Sequence, residues 1–563
     1  MKTPTFASAM AVALVASSST VSATLPIEGP TVSLKNGSYY GLHEPTYNQD
    51  HFLGIPYAQP PLGDLRWANP APLNTSWKGV KNATEYSPMC YGYGPDHWVL
   101  GNVVSEDCLT LNVVRPSMAT VLGELPVAVW IHGGGFRQGS NRDPRYNLTY
   151  IVDQGVKMGK PFIAVGINYR LSGFGFFWGS ESQQEGSGNA GFKDQRMALH
   201  WVQENIAAFG GDPSKVTIFG ESAGGLSVMY HLVAYGGRDD KLFRGAVEQS
   251  GGFANSYITA SAWDARYLAP IAAKANCTSA SSKLACLRAL PAKTISDIIN
   301  STVVSFPTNV IDGDFLHANV VELLDQGKFV RVPLLNGRVD NEAAGYGAGT
   351  NTDEQFKTVV KALGFTDAQA DIFLKLYPDI SEIGLYPDIP EIGVPMSLRG
   401  RPAPGSPYGT MYKRAAAFVS DNSHATRRYF SKTWAKAGLP NYIYYFNVRP
   451  NGVSEHLGAQ HFEEVAFVFY NLNGDGYKPI TGASPFENTP QSYKDVANMM
   501  SRMWVSFFVD QNPNYAGAVQ WPPSQVDDTH TIYFDVNVTS LAYVRPDTYR
   551  AEGINYMHEL YHQ

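Results

Sequence analysis

Val216-Thr217-Ile218-Phe219-Gly220-Glu221-Ser222-Ala223-Gly224-Gly225 is the stretch on which the reading of this chain turns. Its first four residues are apolar or β-branched and suit a short buried strand. The residues after Ser222 open a helical pattern. Between the two lies Gly-x-Ser-x-Gly. Glycine on both sides lets the backbone turn sharply and lifts the serine hydroxyl above the end of the strand. Such a pentapeptide is weak evidence by itself, because small residues cluster by chance. Placed at a strand–helix junction, it marks Ser222 as a candidate nucleophile.

Upstream, Leu125 to Ile131 (LPVAVWI) reads as another buried strand and runs into His132-Gly133-Gly134-Gly135-Phe136. Glycines at that point leave backbone N–H groups free to face a developing oxyanion. Further buried strands are expected at Phe162 to Tyr169, Val216 to Phe219, Gly245 to Gln249, Val332 to Leu335 and Tyr442 to Phe446. Helical patterns at Gly188 to Phe209 and Tyr412 to Gly438 lie between them. Strands alternating with helices predict an α/β fold with a large, mostly parallel sheet covered on both faces.

Composition agrees with a large folded core. The chain has 563 residues, 44% hydrophobic and 17% charged. Its formal net charge is −7 and no basic run occurs, which argues against a nucleic-acid partner. Lys2, the apolar stretch Phe6 to Ala16 and Val21-Ser22-Ala23 form a secretory signal pattern, so residues 1–23 are expected to be a leader and 24–563 one domain. No later segment is apolar for long enough to anchor the chain in a membrane. Secretion suits the four cysteines, Cys90, Cys108, Cys277 and Cys286. Four allow three pairings. The sequence-local one, Cys90–Cys108 with Cys277–Cys286, is expected, each closure contributing about 2.5–3 kcal/mol. Sequons at Asn36, Asn74, Asn82, Asn147, Asn276, Asn300 and Asn537 suggest a glycosylated surface. A nine-residue tandem repeat, Leu376 to Gly384 and Leu385 to Gly393, carries duplicated Pro and Gly and reads as an exposed loop.

Five further segments carry a resemblance. They are Phe52-Leu53-Gly54-Ile55-Pro56-Tyr57-Ala58, Glu106-Asp107-Cys108-Leu109-Thr110-Leu111-Asn112, Asn168-Tyr169-Arg170, Asp194-Gln195-Arg196 and Phe209-Gly210-Gly211-Asp212-Pro213. With the two glycine-rich motifs, the chain resembles the type-B carboxylesterase/lipase family, which includes cholinesterases and fungal lipases, over nearly its whole mature length. The resemblance implies the α/β-hydrolase fold, no cofactor, and a Ser–Glu–His triad. Ser222 matches the nucleophile. The acid falls in Gly337-Arg338-Val339-Asp340-Asn341-Glu342-Ala343. The family usually reads Asp-Glu-Gly where this chain has Asn341-Glu342-Ala343; Glu342 keeps the offset of five from Gly337 and is chosen over Asp340. The base falls in Gly458-Ala459-Gln460-His461-Phe462-Glu463-Glu464. His461 matches, with His456 as the rival, and Phe462 replaces a residue that is often small and is expected to narrow the pocket.

The resemblance also implies an oxyanion hole from the N–H groups of Gly134, Gly135 and Ala223. It places Glu221 and Ser250 close behind the triad and implies structural ion pairs Arg66–Glu106 and Arg170–Asp194. Trp98 stands ten residues before Cys108, like the cation-binding tryptophan of cholinesterases, although pocket wall is the plainer reading. In the family's lipases the loop closed by the first disulfide carries a large apolar lid. Here residues 91–107 are few and rich in Gly. The expected activity is hydrolysis of soluble or short-chain esters. A lipase on longer acyl chains and a dedicated biosynthetic esterase or acyl-transfer enzyme are the alternatives. A non-catalytic adhesion module fits poorly with a chain that keeps all three triad residues.

Overall fold

The computed structural model describes residues 29–117, 123–252, 258–302, 308–343, 347–379, 402–454, 456–548 and 550–561, with Met1 and Phe306. The expected leader lies outside the described residues apart from Met1, and so does the tandem repeat beyond residue 379.

Eleven strands form one sheet. In chain order they are β1 (Leu42–Glu44), β2 (Gln49–Pro56), β3 (Thr110–Pro116), β4 (Leu125–Ile131), β5 (Ile163–Ile167), β6 (Gly211–Glu221), β7 (Gly245–Gln249), β8 (Leu334–Val339), β9 (Asn441–Phe446), β10 (His530–Phe534) and β11 (Ala542–Pro546). Their spatial order is β11-β10-β9-β8-β7-β6-β4-β5-β3-β2-β1. From β5 to β10 across the sheet every neighbour is parallel. The edges are antiparallel.

Alternation along β4 shows why both faces are covered. Val127, Val129 and Ile131 join one apolar cluster, with Phe192, Leu199 and Val202 of the helix Ala190–Asn205. Ala128 and Trp130 join the other, with Met500, Trp504 and Phe507 of the helix Gln491–Asp510. Successive side chains of a strand point to opposite faces, so a strand sandwiched between helices must be apolar throughout. This is the covered, mostly parallel α/β sheet that the strand and helix patterns predict, and the α/β-hydrolase arrangement that the resemblance implies.

Both cysteine pairs are sequence-local: Cys90–Cys108 closes 18 residues and Cys277–Cys286 closes nine. The ion pairs Arg66–Glu106 and Arg170–Asp194 are buried and two-pronged, at 2.5 and 2.7 Å and at 2.8 and 2.7 Å. No helix among the described residues is long and apolar enough to cross a membrane.

Candidate active site

The turn from β6 into the helix Ala223–Gly237 sets Ser222 at φ 58° and ψ −123°. A non-glycine residue held there is strained, and the flanking contacts show what holds it. A Cβ on Gly224 would lie 2.0 Å from the Ile131 carbonyl oxygen, and one on Gly220 would lie 2.5 Å from the Gly224 carbonyl carbon. Only glycine at both positions lets strand, turn and helix approach this closely. The Ser222 N–H donates to the Gln249 carbonyl at 3.0 Å, which ties the turn to β7.

The other candidate residues reach Ser222 from strand ends. Glu342 follows β8, and His461 lies in a loop after β9. His461 Nε2 is 2.7 Å from Ser222 Oγ, and His461 Nδ1 is 2.5 Å from Glu342 Oε2. Glu342 Oε1 accepts from the Val339 N–H at 3.0 Å, which fixes the carboxylate plane. The rivals lie elsewhere. Asp340 accepts from the Tyr445 hydroxyl at 2.5 Å, and the His456 ring packs against Tyr408 at 5.5 Å. Asn341, where the family usually has Asp, donates to the Leu457 carbonyl at 2.8 Å and joins the acid loop to the loop bearing the base.

Beside Ser222, Gly134 and Gly135 adopt φ values of 99° and 62°. Among the described residues, no backbone hydrogen bond uses the N–H of Gly134, Gly135 or Ala223. A Cβ on Gly133 would sit 3.0 Å from Ser222 Cβ, so the glycine loop packs directly on the serine. His132, at its start, is buried and pushed down to about 4, hence neutral.

Carboxyl groups crowd the imidazole. Glu221 Oε1 lies 3.3 Å from His461 Nε2. Ser250 Oγ donates to Glu464 Oε1 at 3.3 Å, as does the Tyr444 hydroxyl. Burial opposes the charged form of His461, but Glu221 and Glu342 outweigh burial and raise the imidazole to about 10. Burial also opposes ionisation of Glu342, yet His461 and Arg338 bring it below the ordinary carboxyl range. Burial drives Glu221 well above that range and lifts Glu464 to about 7. Glu464 carries no motif of its own in the sequence; only its offset of three from His461 could have pointed to it.

A cavity of about 470 Å³ opens over Ser222 and His461. Tyr93, Asp96, Gly134, Gly135, Gln138, Arg145, Tyr146 and Phe462 contribute to its wall. Trp98 does not; it is 65% exposed on the five-residue helix α1 (Pro95–Val99), facing solvent. Among the described residues no cluster of His, Cys, Asp or Glu could hold a metal ion. Of the sequons, Asn74, Asn82, Asn276, Asn300 and Asn537 are exposed. Asn147 is half-buried and caps Thr149, and Asn36, also half-buried, donates to the Thr75 carbonyl at 2.7 Å.

Chemically, the arrangement can generate a nucleophilic alkoxide at Ser222, with a base, a carboxylate to orient it and unspent N–H donors nearby. Comparison with known proteins points the same way. The profile of the Carboxylesterase family matches residues 28–551. "Lipase 5" of Diutina rugosa is 32% identical, over 93% of this chain and 95% of its own. "Secreted lipase 1" of Botryotinia fuckeliana (strain B05.10) is 32% identical, over 82% and 84%. The crystal structure of Aspergillus niger EstA superposes with a TM-score of 0.77 at 26% identity, covering 94% of this chain and 98% of its own.

Proposed function

The chain belongs to the carboxylesterase family and is a carboxylic ester hydrolase, and from that premise we propose that it is secreted and cleaves soluble or short-chain esters through an acyl-enzyme on Ser222. The observation that carries this is the unbroken chain of hydrogen bonds from Ser222 through His461 to Glu342, open to the cavity.

His461 Nε2 takes the serine proton as Oγ attacks the ester carbonyl. Glu342 keeps the proton of the resting imidazole on Nδ1 and stabilises the imidazolium that forms. The N–H groups of Gly134, Gly135 and Ala223 receive the oxyanion, each typically worth about 3 kcal/mol. The tetrahedral adduct collapses, and His461 gives its proton to the departing alcohol. Water, deprotonated by the same imidazole, attacks the acyl-serine and releases the acid.

Secretion is supported by the leader pattern, by two disulfides and by a secreted fungal relative. The preference for short or soluble esters is supported by residues 91–107, whose one helix is the five-residue α1. That is too short to carry the amphipathic stripe of a mobile flap. A second reading, a lipase on longer acyl chains, is favoured by the names of the fungal relatives and by exposed Trp98, Val99 and Val103 at the rim. An acyl-chain series of nitrophenyl esters separates the two, with Ser222→Ala as control. Short esters should be turned over at a rate that rises smoothly through the solubility limit, and Ser222→Ala should be inert. A sharp rise in rate once substrate forms an emulsion would favour the lipase reading. Full activity in Ser222→Ala would overturn both.

A further inference from the structure

One wall of the catalytic cavity is built with more care than hydrolysis alone requires. Phe462, which directly follows His461, has a φ of 79°. Glycine adopts that region freely, whereas a bulky side chain there is strained and persists only when its surroundings fix it. Arg145 supplies that fixing. Its guanidinium carbon lies 4.7 Å from the Phe462 ring centroid, within the range of a cation–π contact. Tyr146 and Tyr477 pack on the same ring at 5.9 and 6.3 Å.

Arg145 is itself pinned from two sides. Asp143 accepts from its Nε and Nη2 at 3.0 and 2.6 Å. Asp96 of α1 pairs with Nη2 at 3.0 Å. The rim helix, the turn Pro144–Tyr146 and the loop bearing the base are thus joined through one buried guanidinium. Asp96, Gln138, Arg145 and Phe462 all face the cavity.

Which half of the ester meets this wall follows from the reaction. His461 must hand its proton to the leaving oxygen, so the alcohol half lies on the side of His461 and hence of Phe462. The carbonyl oxygen points towards Gly134 and Gly135. We propose that Phe462, Arg145 and Asp96 form the specificity wall of the alcohol subsite, admitting compact alcohols that bear hydrogen-bonding groups and excluding bulky apolar ones. This rests on the reading of Ser222, His461 and Glu342 as the hydrolytic triad. Size is limited by a phenyl ring that the guanidinium prevents from swinging aside. Polarity is demanded because an alkyl group pressed on Asp96, Arg145 and Gln138 would strip their water and return no hydrogen bond. A hydroxyl can donate to the Asp96 carboxylate and accept from Arg145 or Gln138, so it is the preferred group.

The test uses acetates that differ only in the alcohol: 2-hydroxyethyl, n-propyl and cyclohexylmethyl acetate. Phe462→Gly relieves the backbone strain and removes the ring; Phe462→Leu keeps the backbone and shortens the side chain. Both should raise the ratio of kcat/KM for cyclohexylmethyl over n-propyl acetate, by about tenfold or more for Gly. Asp96→Asn should lower the ratio of hydroxyethyl over n-propyl acetate several-fold. Ratios along an acyl series at constant alcohol should stay within about twofold, because the wall is on the other side; a purely structural role would depress every ester alike. The inference is overturned if the alcohol ratios stay fixed in an active Phe462 variant, or if the acyl ratios move instead. Cleavage of these acetates at the wild-type rate by Ser222→Ala would sink the triad reading along with it.

Discussion

Glu342→Gln is the sharpest probe of the proposed triad, because it replaces one carboxylate oxygen by an NH2 group and leaves the shape unchanged. In the native site Glu342 Oε1 is occupied by the Val339 N–H, and Oε2 accepts from His461 Nδ1 at 2.5 Å. The amide oxygen can keep only one of these bonds. If it stays with Val339, an NH2 group faces Nδ1, and the imidazole must take the tautomer in which Nδ1 accepts. Nε2 then carries the proton and points it at Ser222 Oγ, 2.7 Å away. A base in that state cannot accept the serine proton. Loss of the correct tautomer with geometry preserved typically costs about 10⁴ in kcat, or about 5.4 kcal/mol of transition-state stabilisation. Glu342 does not line the cavity, so KM should change by no more than about threefold. Steady-state kinetics on nitrophenyl acetate measures both, and Asp340→Asn is the control, since Asp340 serves the Tyr445 hydroxyl. A loss in kcat below tenfold, or an equal loss in Asp340→Asn, would refute the assignment of Glu342.

Two other expectations concern charge. Both Glu221 and Glu342 favour the imidazolium, so the acidic limb of kcat/KM, which requires neutral His461, should lie above the ordinary imidazole value. Glu221→Gln withdraws one of these charges, so the limb should move to lower pH, by about one unit or more; a pH–rate profile with an unmoved or raised limb refutes this. Arg338 and Glu248 form a fully buried ion pair at 2.8 Å, and Arg338→Met should cost about 3–5 kcal/mol by leaving Glu248 unpaired. With a melting entropy of about 1.2 kcal/mol/K for a chain of 563 residues, Tm should fall by about 2.5–4 °C. Arg338→Met with Glu248→Leu should recover much of that at the same scan rate, and strict additivity of the two changes would contradict it.

The central sheet was legible because its strands are apolar on both faces. Leu125–Ile131 and Gly245–Gln249 occupy the expected ranges. The strand expected at Phe162 to Tyr169 is shorter, Ile163–Ile167, while that at Val216 to Phe219 begins at Gly211. The extension covers Asp212-Pro213-Ser214-Lys215, which no apolar criterion selects. The edges escape the same criterion for a related reason. Thr110–Pro116 is buried throughout yet contains Asn112 and Arg115. Asn112 accepts from the Gly54 N–H, and Arg115 donates to Asp50 and to the Phe209 carbonyl. A polar residue in a covered strand is tolerated when its partner is present. That partner is distant in sequence, so the strand cannot be recognised from its own residues.

The same distance effect governs what the site's sequence could disclose. Ser222, the glycine loop and the base loop are local patterns, because turns and N–H presentation are local geometry. The proton balance around His461 is not local. It depends on four elements: Glu221 from β6, Glu342 after β8, Ser250 after β7, and Glu464 beyond the base. Burial drives Glu463 and Glu464 up to about 8 and about 7, since neighbouring carboxylates in a poorly solvated site cannot all ionise. Glu342 has donors enough, the Val339 N–H, His461 and the field of Arg338, to fall below the ordinary carboxyl range. Glu221 lies between these cases. Burial resists its ionisation, while His461, 3.3 Å away, and after it Arg145 favour the charged form. Glu221 and His461 therefore titrate as a pair, and the acidic limb of the pH profile belongs to both residues together. A net charge of −7 spread over 563 residues carries no trace of this. It arises when the sheet brings its strand ends, and the carboxylates just beyond them, to one imidazole.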